Sequence, residues 1–144
     1  MTLAKGAKVV FGDLEYKIDD PALQNGSYFY PMVIENIPKD SPCYWDELFG
    51  PVFTLFKVSS DQEAADLAND TVYGLSGVVF TTDIDRGQRL AEKVDVGGIY
   101  INEIVVTDPT IPAGGVKESG YGRECYIDGL LEISNKKIYA IAKK

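Results

Sequence analysis

The chain has 144 residues, 45% of them apolar and 25% charged, the proportions of one globular domain or part of one. A formal net charge of −8 argues against nucleic acid or an anionic membrane as partner, and no apolar run is long enough to span a bilayer. Histidine is absent, which excludes imidazole chemistry, and two cysteines without metal-ligand spacing point to no metal site and to a reducing compartment, cytoplasmic or matrix-like.

In chain order, residues 8–11 read as a short strand ended by Gly12. Residues 13–26 are polar and rich in turn formers, an exposed loop or irregular hairpin. Residues 28–37 carry the aromatic and β-branched residues of a strand, which Pro31 consigns to an edge or a bulge. The heptapeptide Asp46-Glu47-Leu48-Phe49-Gly50-Pro51-Val52 precedes a strand over 53–58. Ser60 and Glu63 have capping-box spacing and open a helix running to about Asn69. A strand over 74–81 leads to a helix capped by Asp83, with Ile84, Gly87, Leu90, Ala91 and Val94 at helical spacing and Gly97-Gly98 at its end. Residues 99–101 form the next strand.

Two successive strand–helix–strand units predict an α/β fold, a mainly parallel sheet with flanking helices. Residues 103–123 are longer than an ordinary connection and bear several Gly and Pro, so they read as functional or interfacial. A short helix over 125–132 precedes a last strand over 138–142, apolar on both faces and therefore expected to be covered on both. The chain reads as one domain over 1–144.

The heptapeptide places a carboxylate two residues from an aromatic ring, just ahead of a Gly-Pro step that restricts the backbone. Two carboxylate oxygens suit a vicinal diol, and a phenyl ring offers a flat apolar wall to a planar heterocycle. An acidic surface loop ahead of a buried strand is the simpler reading of the same residues. The other candidates have ordinary explanations. Cys43 has no cationic neighbour in sequence and Cys125 fits incidental packing. Glu103 suits a solvated strand end, Lys117 a surface lysine, and Gly114-Gly115, Gly120 and Gly122 tight turns. Arg123-Glu124 suits ion pairs that fix the loop.

The heptapeptide resembles the cofactor-side signature of the aldehyde dehydrogenase superfamily. Further similarity runs through Leu67-Ala68-Asn69-Asp70-Thr71, Tyr73-Gly74-Leu75 and Gly98-Ile99-Tyr100-Ile101-Asn102. It continues through Asp108-Pro109-Thr110-Ile111-Pro112-Ala113-Gly114-Gly115-Val116-Lys117 and Ser119-Gly120-Tyr121-Gly122-Arg123-Glu124 to the closing strand. Four motifs in family order make a specific signal. The Ser-Gly-Tyr-Gly-Arg-Glu form and the Asp-Pro element look most like succinate-semialdehyde dehydrogenases. Ala113 departs from the pattern, which usually has an aromatic residue between the proline and the double glycine.

The resemblance implies the C-terminal part of an NAD- or NADP-dependent enzyme that oxidises an aldehyde to the acid. Glu47 would bind the nicotinamide ribose hydroxyls and Phe49 would pack beside the nicotinamide ring; no catalytic residue is expected within the chain. The family's thiol nucleophile, its glutamate base and its dinucleotide-binding half lie upstream of the Glu-Leu-Phe-Gly-Pro motif, and residues 1–46 are too few to hold them. The isolated chain is therefore expected to lack dehydrogenase activity. Residues 136–144 correspond to the family's interface strand, so a homo-oligomer is expected. The alternative is a truncated, non-catalytic relative serving as a structural or assembly subunit.

Overall fold

A computed structural model describes residues 2–143. The chain divides into two compact units, Met1–Val58 and Ser59–Lys144.

The first unit is built on a three-stranded sheet of β1 (Lys8–Phe11), β2 (Met32–Glu35) and β3 (Val52–Leu55), in the order β1-β2-β3. β1 runs antiparallel to β2, with Val9 opposite Ile34 and a register shift before Phe11. β3 runs parallel to β2, with Met32 opposite Val52. Burial alternates along β2, Met32 and Ile34 facing inward, as a strand period of two requires. These two side chains form the core with Ala7 and Ile37, against which Val9, Cys43, Tyr44, Val52 and Phe56 pack. The strand expected over 28–37 is thus shorter, and it is central rather than an edge. Pro31 precedes the ladder, so its missing N–H costs nothing there, and the Met32 N–H donates to the Pro51 carbonyl at 2.9 Å.

The second unit contains α2 (Asp61–Asn69), β4 (Tyr73–Gly74), β5 (Ser76–Val79), α3 (Ile84–Ala91), β6 (Gly98–Ile101), β7 (Val116–Lys117) and α4 (Tyr126–Glu132); α1 (Pro42–Trp45) belongs to the first unit. β5 and β6 pair in parallel, so β5–α3–β6 is a true crossover unit. β3 takes its ladder from β2, within the first unit. β4 pairs antiparallel with β7. The α/β class holds, with mixed sheets.

Both predicted helix starts are present. The Ser60 hydroxyl accepts from the Glu63 N–H at 3.2 Å, and the Asp83 carboxylate accepts from the Arg86 N–H at 2.9 Å. The Glu63 carboxylate reaches back to the N–H and hydroxyl of Ser59, both at 2.7 Å, and these bonds hold its pKa below the ordinary value. α3 ends at Ala91, earlier than the glycines suggested, because the Asn69 side chain takes over the following turn. Its amide donates to the Lys93 carbonyl at 2.7 Å and accepts from the Asp95 N–H at 2.8 Å.

The expected last strand is not formed. Residues 138–142 carry no strand, and Ile138 and Ile141 are 91% and 90% exposed rather than covered. A strand apolar on both faces needs neighbours on its edges and faces, and the chain supplies none there. Among the described residues, no helix is long and apolar enough to cross a membrane.

Candidate cofactor-facing loop

The loop that carries Glu47 and Phe49 is fixed at both ends within the first unit. Upstream, Pro42 occupies the first turn of α1, where its missing N–H is harmless. Ser41, 1% exposed, donates its hydroxyl to Thr2 Oγ1 at 2.8 Å, and the Thr2 hydroxyl donates to Cys43 Sγ at 3.1 Å. The Lys5 ammonium binds both the carbonyl and the carboxylate of Asp40, at 2.6 and 2.7 Å, and that hydrogen bond holds the Asp40 pKa below its usual range. Tyr44 packs edge-on to Trp45 and Phe56 with ring centroids 4.8 and 5.6 Å apart, while Trp45 Nε1 donates to the Lys39 carbonyl at 2.6 Å. α1 stops after one turn, at Asp46, whose backbone turns extended. Downstream, the loop enters the parallel ladder of β3 and β2 directly.

Between these anchors Glu47 and Phe49 are both exposed and Leu48 is half-buried. Phe49 has φ +41° and is 91% exposed. Left-handed backbone is uncommon for any residue with a Cβ and costs an aromatic residue roughly 1–3 kcal/mol. Nothing in the packing of the ring offsets that cost. The Glu47 carboxylate makes no hydrogen bond or ion pair with any described residue, so its oxygens are available as acceptors. The site is a turn anchored at both ends that exposes a carboxylate and, two residues on, an aromatic ring.

The glycine-rich segment of the second unit is closed mainly by backbone contacts. Ala113 and Glu124 exchange N–H···O bonds of 3.0 and 2.7 Å, and Gly114 and Gly122 adopt φ of +155° and +59°, consistent with tight turns. The Arg123 guanidinium donates to the carbonyls of Gly115 and Gly122 at 3.1 and 2.6 Å, a backbone clasp in place of the expected ion pair. Lys117 Nζ donates to the Asn69 carbonyl at 3.3 Å, the negative end of α2. Cys43 packs against the first unit's core, and Cys125 stands just before α4 at φ +62°.

A family model described as the aldehyde dehydrogenase family matches residues 1–139. The chain belongs to the aldehyde dehydrogenase family. The succinate-semialdehyde dehydrogenase [NADP(+)] of Deinococcus radiodurans is 42% identical over 134 residues, covering 93% of this chain and 27% of that protein. The betaine aldehyde dehydrogenase of Bacillus subtilis is 38% identical over 135 residues, 94% of this chain and 27% of that one. Among solved structures, the betaine aldehyde dehydrogenase of Staphylococcus aureus in complex with NAD+ superposes with a TM-score of 0.81 at 40% identity, over 91% of this chain and 26% of that one. Gox0499 gives a TM-score of 0.85 at 39% identity, over 98% and 30%. The chain spans about a quarter of the length of the curated relatives it matches. The aldehyde dehydrogenase resemblance of the motifs therefore holds over nearly the whole chain.

What the motifs did not reveal is the Ser41–Thr2–Cys43 hydrogen-bond chain. It joins residues distant in sequence, and single hydroxyls carry no periodic signal.

Proposed function

We propose that this chain is the C-terminal portion of an NAD- or NADP-dependent aldehyde dehydrogenase, with Glu47 and Phe49 on the cofactor side. NAD or NADP, when bound, supplies the hydride acceptor. The Glu47 oxygens would accept from the two ribose hydroxyls, and the free face of Phe49 would limit how the nicotinamide ring tilts. Both act by orientation, so their effect falls on the rate of the reaction more than on cofactor affinity. The thiol nucleophile and the general base come from sequence outside this chain. Succinate semialdehyde is the substrate we favour, in keeping with the Asp108-Pro109 and Ser119–Glu124 elements.

The observation that carries this reading is the strained, outward Phe49 beside a carboxylate with no partner among the described residues. It is tested in a chimera in which this chain replaces the matching segment of the Deinococcus radiodurans enzyme. Glu47→Gln should slow single-turnover hydride transfer about 10- to 100-fold while changing NADP affinity far less. An unchanged single-turnover rate would remove the clamp role.

A second reading, a non-catalytic assembly subunit, is favoured by the C-terminal segment. Ile138, Tyr139 and Ile141 are uncovered, and a partner copy pairing along residues 136–144 would cover them. Sedimentation with an NAD titration separates the two readings. A homo-oligomer indifferent to NAD supports the subunit role, and NADH production from an aldehyde by this chain alone refutes it. The compartment we favour is the cytoplasm.

A further inference from the structure

The connection between β1 and β2, residues 12–31, is longer than ordinary links between adjacent strands, and such loops are usually built for a purpose. Its neck is closed where Gly12, at φ +100°, passes so near Pro31 and Met32 that a Cβ would lie 2.6 Å from the Pro31 carbonyl oxygen. Two Asx turns shape its course: Asp13 Oδ1 accepts from the Glu15 N–H at 2.8 Å and Asp20 Oδ1 from the Ala22 N–H at 2.9 Å. Gly26 leaves the space that the Tyr28 ring fills. The loop borders a half-open cleft of about 400 Å³, within the range of small-ligand sites, whose wall residues are partly exposed. Its walls include Asp13, Tyr16, Leu23, Tyr28, Phe29 and Tyr30. The Tyr16 and Tyr30 rings meet at 4.5 Å, tilted by 41°.

We propose that this cleft binds a small organic ammonium ion. Aromatic faces carry negative electrostatic potential and attract a cation that sheds water easily. Asp13 adds a formal negative charge to the wall, and Lys17 lines an adjoining cavity that shares Tyr16, Ile18 and Tyr28. A methylated ammonium suits a wall of rings and an isobutyl group. A hard metal cation does not, since it needs several oxygen ligands. The site lies wholly within the first unit and does not depend on the cofactor-facing role of Glu47.

Calorimetric titration of the full chain with tetramethylammonium chloride, against sodium chloride at equal ionic strength, tests it. Saturable one-to-one binding is expected, with Kd on the order of 1 mM. The neutral tert-butanol, similar in size, should bind at least about tenfold more weakly. Asp13→Asn and Tyr28→Leu should each weaken tetramethylammonium binding about tenfold, whereas Tyr28→Phe, which keeps the ring, should stay within about twofold. Circular dichroism establishes that each variant is folded. If Tyr28→Leu does not fold, Asp13→Asn and the tert-butanol comparison decide the matter. No saturable binding, equal binding of tert-butanol, or unchanged affinity in folded Asp13→Asn would each overturn the proposal.

Discussion

The two units are held together by different means. The first buries aliphatic side chains, Met32, Ile34 and Ile37 with Ala7, behind a three-stranded sheet. The second buries small residues: Ala65 and Ala91 are its only buried hydrophobic side chains among the described residues, and Gly74, Gly87 and Gly115 are buried as well. Where little side-chain volume is buried, backbones approach closely and polar side chains clasp them. Asn69 bridges Lys93 and Asp95. Asn102 both accepts from the Thr81 N–H and donates to the Thr81 carbonyl, each at 2.7 Å. Ser119 accepts from the Gly74 N–H at 2.9 Å. The first unit should therefore be sensitive to lost volume and the second to added volume.

The sharpest way to break that contrast is Gly97→Ala. A Cβ at Gly97 would run into the Gly114 carbonyl, and the Gly97 backbone cannot yield without disturbing its N–H bonds to Gly74 and Leu75. A loss of about 4 kcal/mol is expected, the scale of a severe steric clash. Amide hydrogen exchange should report it in residues 59–143 while leaving β1, β2 and β3 protected. The converse change, Ile34→Ala, should cost roughly 2–5 kcal/mol, read from the loss of protection in the three-stranded sheet. If both substitutions deprotect both units equally, the division into two modes of packing fails.

Ser60→Ala removes one cap and should cost about 1 kcal/mol, visible as earlier fraying of α2 in hydrogen exchange. Acidification should act more gently still. Asp61 is held below its ordinary pKa by the hydrogen bond from Arg86, whose guanidinium lies 2.6 Å away; Glu63 is lowered by its bonds to Ser59 and Asp108 by its bonds to Thr110. A carboxylate whose pKa is depressed on folding adds stability above its unfolded pKa, about 4, and loses it as pH falls through the folded value. Three such groups lie in the second unit, against Asp40 in the first. Denaturation followed from pH 5 to pH 2 should weaken the second unit more, and Asp61→Asn should flatten that acid limb. Equal acid sensitivity in the two units would contradict the assignment.

Local signals proved the most legible. Ser60 and Asp83 stand where helices begin, because a cap needs only its own side chain and the N–H three residues on. The strand before Asn102 was equally plain from Ile99-Tyr100-Ile101. The order of the first sheet was not. Pro31 suggested an edge or bulged strand, but whether a proline interrupts a ladder depends on which N–H groups the neighbouring strands require, and here pairing starts one residue later. Arg123 looked like an ion-pair partner for the same kind of reason: its charge is evident in sequence, while the carbonyls that meet it come from a fold-dependent turn.

By itself the sequence determined the family, the α/β class and the heptapeptide that brings Glu47 and Phe49 within two residues of each other. Those depend on residue types and short spacings, which survive without knowledge of neighbours. Tertiary structure alone decided that β2 is central, that residues 138–142 find no strand to pair with, and that Phe49 sits outward on left-handed backbone. The reason is physical. Pairing, burial and strain are properties of two segments meeting, and sequence spacing does not specify which distant segment arrives.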